Sequence, residues 1–176
     1  TKVFGYEFTG YWRDIGTIGA FFKANLELAE PNPPFNFYDE KAPFYTRPRF
    51  LPGSKIRKSS INRALISDGC FLNNVKIEHA VVGLRSRIGN NTTLDNTIVM
   101  GYDYYEKNED RETVPLGIGE NCIIKNAIID KNSRIGNNVQ IINEKNIQDT
   151  EEDSYHISDG IVVIPKHTVI PDNTII

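Results

Sequence analysis

From residue 66 onward, aliphatic residues return every five or six positions. They fall at Ile66, Leu72, Ile77, Val82, Ile88, Leu94 and Val99. They resume at Ile118, Ile124, Ile129, Ile135 and Ile141, and again at Ile164, Ile170 and Ile176. Small residues hold the fifth places of these hexads: Cys70, Ser86, Thr92, Cys122, Ser133, Thr168 and Thr174. Asparagine and glycine fill the places between, as in Ile88-Gly-Asn-Asn-Thr-Thr and Ile135-Gly-Asn-Asn-Val-Gln. Three such steps make one triangular coil of a parallel β-helix. The aliphatic residue points into the prism, the small one fits the tapered interior, and Asn or Gly takes the left-handed backbone at a corner. A β-sandwich with Ile-rich strands is the alternative, but its strands recur every eight to twelve residues and alternate at period two.

Two segments break the period. Residues 101–116 (GYDYYEKNEDRETVPL) and 143–160 (NEKNIQDTEEDSYHISDG) are polar and charged and read as loops ejected from the prism. They are tolerated surface insertions or partner-facing loops. Tyr102, Tyr104 and Tyr105 point to the second role for the first loop.

The first fifty residues have another character. They hold 13 of the 18 aromatics, while 21 of the 23 isoleucines lie at position 56 or later and six of the nine prolines lie in 31–52. This shift places a boundary near residue 50, with 31–53 as a Pro-punctuated connector. Residues 1–16 read as a short strand and a turn. In TIGAFFKANLELAE the apolar spacing predicts an amphipathic helix with Thr17 as its N-cap, stopped by Pro31, Pro33 and Pro34. A strand and one helix cannot bury thirteen aromatics, so the chain is expected to begin partway through a domain.

Net charge is −3 over 176 residues, which argues against a general nucleic-acid binder. No apolar run approaches the roughly 18–20 residues of a membrane span, and no basic segment precedes an apolar one as in a signal peptide. Cys70 and Cys122 lack metal-ligand spacing and read as core residues in a reducing compartment. His79, His156 and His167 sit in unlike contexts, which speaks against a three-histidine zinc site. His79, beside Glu78, is read as a surface or interface residue, with an acyl-transfer base as the other reading.

Tyr11-Trp12-Arg13-Asp14-Ile15-Gly16-Thr17 resembles the W-x-D-x-G-T motif of sugar-1-phosphate nucleotidyltransferases. ANLELA, FYDEKAPFYTRPRFLP, VVGLRSRIG, VPLGIGENCIIKNAIIDKNSRIGNNVQI and SDGIVVIPKHTVIPDNTII follow in order. Together they resemble the C-terminal region of the ADP-glucose pyrophosphorylase (glucose-1-phosphate adenylyltransferase) family, over nearly the whole chain. The resemblance implies a mainly β chain: 1–30 as the α/β end of a nucleotidyltransferase domain, 31–53 as connector, and 54–176 as a left-handed parallel β-helix. It implies an enzyme that makes ADP-glucose and pyrophosphate from ATP and glucose 1-phosphate with Mg²⁺, the committed step of glycogen or starch synthesis. The family's Gly-rich nucleotide loop is not in this sequence, so the fragment alone is expected to be inactive. The β-helix would serve a homo-oligomer, a tetramer in the family, in a bacterial cytoplasm or a plastid.

By the same resemblance Asp14 is a Mg²⁺ ligand, shared with a carboxylate outside this sequence. A magnesium ion suits one or two carboxylates plus substrate phosphates. The other reading of Asp14 is a cap of the following helix. Arg47, Arg49, Lys131 and Lys166 match effector-binding positions and would hold an anionic metabolite, with solvated surface cations as the alternative. Lys166 follows Pro165, where the family usually has an aliphatic residue. A stand-alone hexapeptide-repeat acyltransferase or scaffold trimer is the rival function.

Overall fold

The computed structural model describes residues 1–107 and 112–176. Residues 108–111 of the first interruption lie outside the described residues. Helix α1 (Ile18–Glu27) comes first. Strands β1 (Lys55–Arg57), β2 (Ser60–Ile66), β3 (Phe71–Asn73), β4 (Lys76–Val82), β5 (Arg87–Ile88), β6 (Thr93–Val99) and β7 (Gly117–Ile118) follow. The series continues with β8 (Ile123–Ile129), β9 (Arg134–Ile135), β10 (Gln140–Ile141), β11 (Thr150–Glu151), β12 (His156–Ser158), β13 (Ile161–Ile164) and β14 (Val169–Ile170).

Strands β1, β3, β5, β7, β9 and β14 stack in parallel as one face. The long strands β2, β4, β6 and β8 stack in parallel beside them, and each supplies two faces. The pairing shows the bend. Asn62 faces Glu78 and Ala64 faces Ala80, while Arg63 and His79 between them are skipped. Arg63, His79, Asn96 and Asn126 hold φ of 46°, 50°, 44° and 48°, so a left-handed residue turns each strand through a corner. The halves of β8 therefore part company: Ile124 pairs with Ile141 of β10, and Ile129 pairs with Ile164 of β13. Three parallel faces close a triangular prism.

The repeat supplies the prism's interior. Leu72, Ile88, Ile118, Ile135 and Ile170 stack in register on the first face. Ile77, Leu94, Ile124 and Ile141 line the second, and Val82, Val99, Ile129 and Ile164 the third. All are buried, each contributing on the order of 1.5–3 kcal/mol relative to an exposed position. The small fifth-place residues Cys70, Ser86, Thr92, Cys122 and Ser133 are buried as expected, whereas Thr168 and Thr174, on the last coil with no further coil to cover them, are only half-buried. Their hydroxyls stay satisfied: Ser86 Oγ donates to Gly83 O at 2.7 Å and Thr92 Oγ1 to Gly119 O at 2.8 Å. Burial pushes both thiols up in pKa, as suits core cysteines rather than nucleophiles. One corner carries an asparagine ladder, Asn74 to Asn91, Asn121, Asn138 and Asn173, each side-chain amide donating to the next side-chain carbonyl.

Helix α1 forms where the spacing places it. Thr17 Oγ1 accepts from Ala20 N–H at 3.1 Å and caps it. Its apolar side rests on an outward-facing stripe. Val81, Ile98, Ile128 and Val163 are in register on the outside of the third face, and Phe21, Phe22 and Leu26 pack over them. The strand expected within residues 1–16 is not formed, so α1 is the only regular element before β1. Without a neighbouring sheet edge, that segment has nothing to pair with.

The two interruptions depart from free loops. Residues 150–158 form the antiparallel hairpin β11–β12, which continues the sheet beyond β13. Ile157 anchors it in the core. Tyr102 is not at a partner-facing tip: it is buried in the prism's core cluster. Tyr105 lies back on the first face, its hydroxyl donating to Gly69 O at 2.9 Å and its ring edge-on to Phe71. Among the described residues no helix is long and apolar enough to cross a membrane.

Candidate anion-binding site

A cavity of about 750 Å³ opens where the connector, the first interruption and two coil corners meet. Arg47, Pro48, Arg49 and Phe50 line it from the connector, and Leu84 and Arg85 from one corner. Met100, Tyr102, Asp103 and Lys131 complete the wall. Coil stacking brings in Lys166. His167 N–H donates to Lys131 O at 3.0 Å, so the residues on either side of that bond are neighbours across two coils. Lys166 Nζ then stands 3.7 Å from Asp103 Oδ2, and Lys131 Nζ 3.0 Å from Asp103 Oδ1.

Asp103 is fixed rather than draped. Asn132 is buried and left-handed, with φ of 61°. It clasps Asp103 from both sides, its Nδ2 donating to Asp103 Oδ2 and its Oδ1 accepting from Asp103 N–H, each at 2.8 Å. The hydrogen bonds from Asn132 and then Lys131 hold the Asp103 carboxyl below the usual carboxylate range. Lys131 and Lys166 thus flank one carboxylate, and Arg47, Arg49 and Arg85 line the cavity beside it. Guanidinium and ammonium groups are the side chains that pair with carboxylate and phosphate oxygens.

Of the five residues singled out from sequence, the structure brings four to this place. Arg85, Asp103 and Asn132 were missed. Arg85 and Asn132 sit at corners, with φ of 60° and 61°, where the repeat suggests only a backbone role. Asp103 lies in a segment that reads as an ejected loop.

Asp14 lies apart, at the entrance to α1. Its Oδ1 accepts from Gly16 N–H at 2.8 Å, which folds the chain toward Thr17; Thr17 and not Asp14 caps the helix. The neighbouring cation is occupied, since Arg13 grips both oxygens of Glu27 at 2.9 and 2.7 Å. Among the described residues no group of three or more His, Cys, Asp or Glu could hold a metal ion. The Asp14 carboxylate is a hard oxygen donor of the kind Mg²⁺ takes, and by itself it is not a coordination sphere.

One histidine, His79, does structural work. His79 fastens the end of α1: its Nε2 lies 3.2 Å from Leu26 O and 3.1 Å from Glu30 Oε1, and its Nδ1 lies 2.6 Å from Asn96 Oδ1. With both ring nitrogens engaged, it is an interface residue and not a base facing a substrate.

A buried ion pair supports the cavity's neighbouring loop. Arg134 on β9 pairs with Glu106, and its guanidinium also donates to Val114 O at 3.0 Å. Burial alone would raise the Glu106 carboxyl, but Arg134 and the Leu116 N–H hold it below its ordinary value.

In-register hexad ladders, left-handed corners and small fifth-place residues define a hexapeptide-repeat parallel β-helix. Within that class the chain belongs to the family of the left-handed β-helix of ADP-glucose pyrophosphorylase. The family model described as the GLGC left-handed parallel beta-helix domain matches residues 49–175.

Proposed function

We propose that this chain is the assembly and regulatory part of a glucose-1-phosphate adenylyltransferase, the enzyme that forms ADP-glucose and pyrophosphate from ATP and glucose 1-phosphate in glycogen or starch synthesis. The observation that carries the reading is the gathering of Arg47, Arg49, Lys131 and Lys166 around one cavity from positions up to 119 residues apart, 166 minus 47. An anionic metabolite bound there touches connector and β-helix at once. It can therefore bias how the two sit against whatever the connector joins, which is the physical content of allosteric coupling.

Aromatic residues in the first fifty positions support a covering catalytic domain, with 1–30 as its end and 31–53 as the connector. Val3, Phe4, Tyr6 and Trp12 are all exposed, more than a solvated segment of this length ordinarily shows. Asp14, carried by the same segment, would hold Mg²⁺ together with a carboxylate of that domain. The ion would neutralise phosphate charge when bound; Asp14 itself contributes one oxygen and a fixed position before α1. The β-helix serves a homo-oligomer, a tetramer by family likeness, in the cytoplasm or a plastid.

The test is isolation of the native protein with an antibody against this chain. The reading expects a mass above 19.9 kDa by a domain on the order of 250 residues, and ADP-glucose formation from ATP and glucose 1-phosphate. Lys131→Gln with Lys166→Gln is expected to leave unstimulated activity in place and abolish the response to phosphorylated metabolites. A native mass near 20 kDa without adenylyltransferase activity would overturn the reading.

A further inference from the structure

The cavity already contains an anion, and it belongs to the chain. Asp103 Oδ1 is 3.0 Å from Lys131 Nζ and its Oδ2 is 3.7 Å from Lys166 Nζ. A ligand carboxylate or phosphate oxygen would take the same place. The contact is built in: Asn132, buried on the corner between β8 and β9, holds both the backbone N–H and the carboxylate of Asp103. A flexible surface acid would have no such clasp.

We propose that Asp103 is the specificity-determining residue of this site, a tethered competitor that admits only multivalent phosphate-type anions. The inference rests on the anion-binding role proposed above and adds what chooses the anion. A monocarboxylate offers the two lysines no more charge than Asp103 already gives, and it also meets Asp103's repulsion. It gains nothing by entering. A phosphate dianion brings twice the charge and more acceptor oxygens, so it can take Lys131 and Lys166 from Asp103 and reach Arg47, Arg49 and Arg85 as well. Asp103 then acts as a threshold on ligand charge.

The experiment is calorimetric titration of this chain with inorganic phosphate and, separately, with acetate, at fixed ionic strength and pH 8. Asp103→Asn keeps the shape and the Asn132 clasp while removing the charge. Asp103→Ser is the second variant, and thermal melting of each confirms folding. Asp68→Asn is the control. Asp68 sits at the adjacent corner, its carbonyl accepting from Arg85 N–H at 3.1 Å, so its loss changes net charge equally without freeing either lysine. Wild type is expected to bind phosphate and not acetate. Both Asp103 variants are expected to bind phosphate about five- to tenfold more tightly, the release of two partly screened ion pairs, and to gain acetate binding. Asp68→Asn is expected to change phosphate affinity less than twofold. Phosphate affinity within twofold of wild type in the Asp103 variants, or an equal gain in Asp68→Asn, overturns the threshold role and leaves the anion site standing. Failure of every protein to bind phosphate overturns the anion site itself, and the threshold with it.

Discussion

Ile124 and Tyr45 are both large apolar side chains, yet they stand at opposite limits: Ile124 is wholly buried and Tyr45 is 94 % exposed. Each represents its region. Coil after coil, the prism sets an identical kind of side chain beside its neighbour, so every coil added buries the last. The first fifty residues offer aromatics in no repeating order. Outside α1, Tyr11, Phe35, Phe37 and Phe44 find one another, while Phe4, Tyr6, Phe8, Trp12, Tyr38 and Tyr45 stay exposed. A repeat supplies its own partner, whereas an irregular apolar segment needs one of different sequence.

The strongest way to break the comparison is to open the prism. Ile124 stacks between Leu94 and Ile141 with no solvent contact. Ile124→Ala is expected to cost about 4 kcal/mol, because close packing on both sides leaves a cavity that cannot collapse. Urea unfolding checks it; a loss below about 1.5 kcal/mol would mean the coils relax like independent units.

The second effect is smaller and tests a polar part of the same prism. Arg134 and Glu106 have side-chain exposures of only 8 % and 9 %. Glu106→Gln leaves the buried Arg134 guanidinium with only the exposed Glu112 carboxylate, 3.2 Å away, as counter-charge, and is expected to cost about 2 kcal/mol at pH 7. The sign in acid follows from the lowered carboxyl. A depressed folded-state value gives stability that is present above the unfolded Glu value of about 4.3 and is lost as pH falls through the lower folded value. The gap between wild type and Glu106→Gln should therefore narrow below pH 4. A gap that stays constant from pH 7 to pH 3 would show that Glu106 stabilises by packing and not by charge.

The ladders, the small fifth places and helix α1 with its Thr17 cap were legible because each is a local pattern with a fixed period or offset. The seat of α1 was less so. Val81, Ile98, Ile128 and Val163 lie next to inward residues 82, 99, 129 and 164, and the run of adjacent apolar residues on this one face was a readable sign that both sides of it are covered. It was absorbed into the core reading instead. Arg63 and His79 at corners had no signal of that kind. What holds them is Glu30 together with Glu78 or the Leu26 carbonyl, and Glu30 and Leu26 are 33 and 53 residues away. Only the closed prism makes those distances short. The anion cavity shows the same limit. Four of its five cations were found by family likeness, while Asp103 and Asn132, which hold its two lysines in place, belong to an interruption and a corner that periodicity treats as spacers. The hairpin β11–β12 was hidden for a further reason: two- and three-residue strands are too short for alternation to register.

The smallest effect sharpens the contrast from the other side. Tyr45→Ser and Phe4→Ser, at positions 94 % and 84 % exposed, remove more apolar area than Ile124→Ala does. Each is expected to change the stability of this chain by less than about 0.5 kcal/mol, since neither side chain leaves water on folding. The same urea experiment reads it. A loss above 1.5 kcal/mol in either variant would show that the segment packs on itself and supplies its own cover. Should the small loss hold here and grow severalfold when the proposed catalytic domain is joined to this chain, that domain is what those aromatics bury against. That would give the irregular region the partner that the repeat never needed.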